Sequence, residues 1–156
     1  MHAIPLRWIL PTVCLALAVI CPSAEGQEPV APAITARQFT AGSVTLKVTG
    51  SFQIDEEVAM NTTASFGDGE WTWLQFGASG SETPNALVTY GDGEFGISVS
   101  RGKRIAIAEA AHCTGKVEVT ASLVSGQYTC SGVTSYDPAT GQTGEISIQI
   151  RFTAKS

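Results

Sequence analysis

The sequence predicts an all-β fold: an antiparallel β-sandwich, or small barrel, of eight or nine short strands. Three observations predict it. Apolar residues recur at every second position through most of the chain, as in Ile146, Ile148, Ile150 and Phe152, the period of a half-buried strand. Glycine-, aspartate- and serine-bearing breakers separate these runs, among them Gly67-Asp68-Gly69, Gly91-Asp92-Gly93 and Ser125-Gly126. The only cluster of helix formers, Ile107 to His112 (IAEAAH), is at most one turn long and is read as a strand end plus loop.

Residues 1–26 read as an export signal. Arg7 precedes an apolar run from Trp8 to Ile20, the length of a signal-peptide core and too short to span a bilayer, and Ala24-Glu25-Gly26 supplies a small-x-small cleavage site. No other stretch is apolar enough for a transmembrane helix. Cys21 raises a second expectation, a lipid-anchored cysteine, although Ile20 stands where a lipobox wants a small residue. Residues 27–33 (QEPVAPA) form a proline-containing spacer, and residues 34–156 a single domain. Strands are expected near 43–54, 57–66, 70–76, 85–91, 94–100, 103–109, 114–122, 127–134 and 144–154. Removing the signal leaves 156 − 26 = 130 residues, enough for one core.

Composition excludes several functions. A net charge of −5 argues against a phosphate backbone as ligand. Two cysteines remain beyond the signal, Cys113 and Cys130, and in an exported chain they predict one disulfide. His112 is the one histidine outside the signal, so a zinc site lacks ligands; a Ser/His triad would have to use it without any Gly-x-Ser-x-Gly motif, and its strand neighbour Cys113 would point to the opposite face. No cofactor motif is present, and the expected protein is not an enzyme.

Charge is segregated. Between Lys47 and Arg101 there is no basic residue, while Asp55, Glu56, Glu57, Asp68, Glu70, Glu82, Asp92 and Glu94 all fall there. Arg101, Lys103 and Arg104 then form a basic turn, expected to lie near an acidic one. Ser65 to Trp71 and Thr89 to Phe95 share an aromatic, Gly-Asp-Gly-Glu, aromatic pattern. The simplest account is two hairpins making the same turn, with flanking aromatics paired across strands. Calcium could use the paired acids, but neither copy has the repeated aspartates of a calcium loop. Asn61-Thr62-Thr63 matches the N-glycosylation acceptor pattern.

The candidate binding residues are Trp71 and Trp73 with Asp68, Glu70, Asp92 and Glu94. Trp71 and Trp73 share one face of the WTWLQF strand, and Leu74 and Phe76 the other. Either the strand is covered on both faces, or the tryptophans form an exposed platform. Carbohydrate modules set aromatic faces against sugar rings and carboxylates against hydroxyls. A lipid-holding cavity between the sheets is the other ligand-binding arrangement.

The closing strands carry a family resemblance. Gly126-Gln127-Tyr128-Thr129-Cys130-Ser131-Gly132-Val133-Thr134, a loop from Asp137 to Gly144, and Glu145 to Thr153 resemble the end of the mycobacterial 19 kDa lipoprotein antigen family. The resemblance implies a surface-displayed β-sandwich and carries no enzymatic residues; that family's terminal cysteine is absent here. The expected protein is thus an exported, non-enzymatic β-sandwich of the bacterial envelope or medium with a surface or interaction role toward a protein, glycan or lipid. The alternatives are a carbohydrate or lipid binder using Trp71 and Trp73, and a small hydrolase on the acidic turns.

Overall fold

Alternation along the chain becomes alternation across a sheet. A computed structural model of the chain describes residues 37–78 and 82–156; the expected signal, the spacer, Cys14 and Cys21 lie outside them. The strands are β1 (Arg37–Gln38), β2 (Ala41–Gly50), β3 (Ile54–Ala59), β4 (Phe66–Gly67), β5 (Trp71–Phe76), β6 (Asn85–Gly91), β7 (Glu94–Arg101), β8 (Arg104–Glu109), β9 (Cys113–Val119), β10 (Leu123–Asp137) and β11 (Gln142–Lys155). One 3₁₀ turn, Ala110–His112, joins β8 to β9. The fold is all-β, and every strand pairing is antiparallel.

The strands follow the order β1-β4-β5-β6-β7-β8-β10-β11-β2-β3, with β9 lying beside β10 as well. The sheet curls until its ends meet, where Met60 bridges Phe76. There Asn61 N donates to Gln75 O at 2.7 Å and Gly77 N donates to Ala59 O at 2.9 Å. Two halves result, β4–β8 and β9-β10-β11-β2-β3. Their inward side chains form the core. Leu74, Phe76, Val88, Ile97 and Val99 come from the first half; Val44, Leu46, Ile148, Phe152 and Val124 come from the second, all buried.

β10 changes its pairing part-way, and its residues show how. Its first part pairs β9 from Val124↔Val119 to Cys130↔Cys113; beyond it, Ser135 and Tyr136 pair β8. Between Cys130 and Val133 the register with β11 shifts. The inward positions switch there from Val124 and Cys130 to Val133 and Ser135. Gly132, at φ +66°, supplies the left-handed residue that such a bulge needs. Strict alternation breaks at this point, so the expected strand 127–134 was too short at both ends.

Two other boundaries differ from expectation. The run 43–54 is two strands, because Gly50 at φ +119° turns the chain and Phe52 folds back into the core. The expected strand 57–66 stops early. Asn61 Oδ1 accepts from Thr63 N at 3.2 Å and from Thr63 Oγ1 at 2.7 Å, a local turn that competes with the ladder. The two Gly-Asp-Gly-Glu copies also turn differently. Asp92 and Gly93, at φ 48° and 76°, make the two-residue turn between Gly91 and Glu94 that suits strand twist. In the other copy Gly67 pairs Thr72 across a longer loop, held by Asp68 Oδ1. Tyr90 pairs Phe95 as expected, but Phe66 pairs Trp73 rather than Trp71.

The basic turn does sit against acids. Arg101 Nη2 lies 3.1 Å from Glu56 Oε1, and Arg104 Nε lies 3.7 Å from Asp137 Oδ2. Both guanidinium groups also donate to the β2–β3 turn, at Gln53 O (3.2 Å) and Ser51 O (2.8 Å). They thereby tie one half of the sheet to the other at this end.

At the opposite end two inward phenols, Tyr90 and Tyr128, are held above their ordinary 10.0 by burial. For Tyr90 a hydrogen bond with Thr72 and the charge of Arg37 offset part of this. The folded state therefore keeps these protons more tightly than the unfolded chain. Their contribution is fully present below pH 10.0, the unfolded value, and is lost as pH rises through the folded values. Chaotrope unfolding across alkaline pH is expected to show stability falling above about pH 10. The fall should be shallower in Tyr90→Phe/Tyr128→Phe; an identical slope in that variant would contradict the assignment.

Candidate functional site

The two halves of the sheet present different outer faces. On the second half, register aligns Thr114, Thr129, Gln149, Lys47 and Asp55 in one row across five strands. These residues help line a shallow recess of about 400 Å³. This is the wet face that alternation predicts.

The first half is different. One outward row runs Phe66, Trp73, Thr89, Gly96 and the next runs Gln75, Leu87, Ser98, Ile107. A third runs Asn85, Ser100, Ile105. Tall rings stand on the β4–β5 side and isoleucines on β8, with mostly short side chains between. With strands about 4.8 Å apart, the three steps from β5 to β8 separate these walls by roughly 14 Å. Phe66 is 48% exposed and Ile107 64%, which is high for large apolar groups on a sheet face.

The tryptophans are therefore outward and partly exposed, while Thr72, Leu74 and Phe76 of the same strand face inward. Phe66 and Trp73 stack with centroids 4.8 Å apart, and Trp71 lies 6.4 Å from Trp73. Trp71 packs over Gly91, where a Cβ would stand 2.8 Å from its ring. That contact seats the ring against β6.

Glu70 and Asp92 join Trp71 in lining one open recess of about 400 Å³, so the two acidic turns do meet beside a tryptophan. Asp68 has another task. Its Oδ1 accepts from Glu70 N at 3.0 Å and Trp71 N at 2.7 Å, which shapes the turn. Glu94 is exposed opposite Gly91 in the hairpin. Cys113 and Cys130 are bonded across β9 and β10, far along the sheet from the tryptophans in strand order. Exposed His112 ends the 3₁₀ turn. Among the described residues no group of three His, Cys, Asp or Glu side chains is placed to hold a metal.

No protein-family model, no curated protein and no solved structure matches the chain. The functional reading thus rests on the faces themselves.

Two residues on the aromatic face were not among the expected ones. Gln75 and Asn85 each bury a side-chain amide nitrogen that has no hydrogen-bond partner. A glutamine or asparagine at an outward strand position reads as a solvated residue. Nothing in the sequence signals that neighbours cover it.

Proposed function

We propose that this chain is an exported, non-enzymatic recognition protein that binds a glycan on the outer face of β4–β8. The observation that carries this reading is the partly exposed Phe66–Trp73–Trp71 strip, flanked by Glu70 and Asp92. Flat aromatic faces suit the apolar face of a sugar ring, and carboxylates accept from its hydroxyls. The disulfide supports an oxidising compartment outside the cytosol. The resemblance of the last strands to a surface lipoprotein family points the same way. The space between the sheet halves is filled by side chains such as Leu46, Leu74, Phe76 and Phe152, which favours an outer-face ligand over an enclosed lipid.

The test is tryptophan fluorescence titrated with a panel of soluble polysaccharides and oligosaccharides. A member of the panel should shift the emission. Trp73→Ala should weaken its binding at least tenfold, equivalent to about 1.4 kcal/mol. Ile107→Ser, on the far wall, should bind within a few-fold of wild type. Flat titrations across the panel would overturn the glycan reading. A specific observation favours one second reading: Ile105 and Ile107 are both exposed on β8. If Ile107→Ser alone abolished a partner contact, this face would be a protein-docking surface instead.

A further inference from the structure

The aromatic strip does not end at Trp73. Gln75 follows it on the same face of β5, roughly 7 Å further along the strand. Gln75 and Asn85 line a recess of about 310 Å³, together with Ser98, Ser100 and Lys103. Asn85 is only 7% exposed, and its Nδ2 has no acceptor; Gln75 Nε2 is in the same condition. Two buried amide NH₂ groups without acceptors in one recess are uncommon in a folded protein, because each forfeits its hydration without replacement. Both are donors on residues that line the same recess. Lys103 makes no ion pair among the described residues, whereas its neighbour Arg104 is occupied by Ser51 O and Asp137. The recess therefore offers amide donors and, among the described residues, one cation without an ion pair, with the Glu82 carboxylate standing over Gly102 at its rim.

Resting on the glycan reading above, we propose that this recess is a subsite for a sugar ring bearing an acceptor-only oxygen. That oxygen is the carbonyl of an N-acetyl group or the carboxylate of a uronate. A hydroxyl can also accept and could pass its proton to Ser98 or Ser100, so the preference for an acceptor-only oxygen rests on the two unpartnered amide NH₂ groups. The preceding ring lies on Trp73, and the acyl or carboxylate oxygen of the next one receives the Gln75 and Asn85 amides.

The test uses the full folded chain labelled with ¹⁵N. Oligosaccharides of N-acetylglucosamine, of glucuronate and of unsubstituted glucose are added in separate titrations. The spectra report two sets of signals, the Trp71 and Trp73 indole N–H groups and the Gln75 and Asn85 side-chain amides. The N-acetyl or the uronate series, which also identifies the source of the oxygen, should move both sets and bind at least tenfold more tightly than the glucose series. In Gln75→Met and Asn85→Leu that preference should vanish while the glucose series still moves the indoles. Melting temperatures should stay level or rise, since an unpaired buried donor has been removed.

Indole shifts with no amide shifts, or no preference between series, would overturn the subsite and leave the glycan reading standing. Amide shifts without indole shifts would keep the subsite and overturn the aromatic platform. Silence in both sets would overturn both. A marked loss of stability in both variants would show the amides to be structural and would also overturn the subsite.

Discussion

Phe152→Ala is expected to destabilise the protein by about 4 kcal/mol. Phe152 is 1% exposed on β11, the strand that joins β10 to β2 at the middle of the second half. Its ring lies 6.4 Å from that of Phe76 on β5, so the pair bridges the two halves of the sheet. The ring also covers Gly126 of β10, where a Cβ would stand 2.5 Å from its Cζ. The glycine and the ring fit as a unit. Alanine at 152 would remove the transfer energy of the ring and leave a space that Gly126 has no side chain to fill. Phe152→Leu retains much of the volume and should cost less than half as much. Chaotrope unfolding of the three proteins checks the order. A loss below about 1 kcal/mol for alanine would mean that the halves do not pack through this ring.

Legibility in the sequence followed the local physics. β6, β7, β8 and β11 were readable because short turns bound them and one face stays apolar throughout. The Gly50 turn was not readable, since Phe52 just beyond it keeps the apolar alternation going through Ile54. Nor was the bulge at Gly132, where one inserted position swaps inward for outward residues and a plain alternation count loses phase. At the site, Trp71 and Trp73 were identifiable as sharing a face, but their exposure depended on what lies over β5. That is decided by β4, too short to register as a strand by itself. Asp68 was a reasonable ligand candidate by type, yet two backbone N–H groups of its own turn occupy its oxygen. Gln75 and Asn85 show the reverse case. Their importance lies in acceptors they lack, and a missing partner is visible only once every neighbour has been placed.

The two outer faces also differ in what they need to remain apart from other chains. The second half bears a charged, threonine-rich surface, and its exposed strand β9 carries Lys116 and Glu118, 2.6 Å apart. Charges on an edge strand oppose further strand pairing. The first half carries rings and isoleucines where solvent would favour polar groups. A protein that keeps such a face exposed does so at some risk of self-association, and a ligand seated on the face would remove that risk.

Removing the disulfide, by Cys113→Ala/Cys130→Ala, is expected to lower stability by about 3 kcal/mol and to loosen β9 first. The cysteines are 17 residues apart, so the bond closes a modest loop in the unfolded chain. Its local effect follows from topology. Among the described residues β9 pairs with β10 alone, and apart from Cys113 and Val117 its residues are exposed, so little apolar burial holds it. The bond fastens the start of β9 at Cys113↔Cys130, next to the bulge where β10 changes partners. Without it, amide exchange in β9 should accelerate well beyond the rise set by the global loss, while β5, β6 and β7 should follow the global loss alone. Equal acceleration in every strand would mean that β9 is held by the sheet as a whole and that the bond acts only on the unfolded chain. Under the glycan proposal, binding supplies the complementary measurement. Trp71, Trp73, Gln75 and Asn85 all lie on β5 and β6, in the other half of the sheet. At a temperature where the variant remains folded, its affinity should match that of the wild type. A large drop would show that the outer face of β4–β8 depends on the register of β9 and β10, and that the two halves are coupled through the Ser135↔Ala106 contact of β10 with β8.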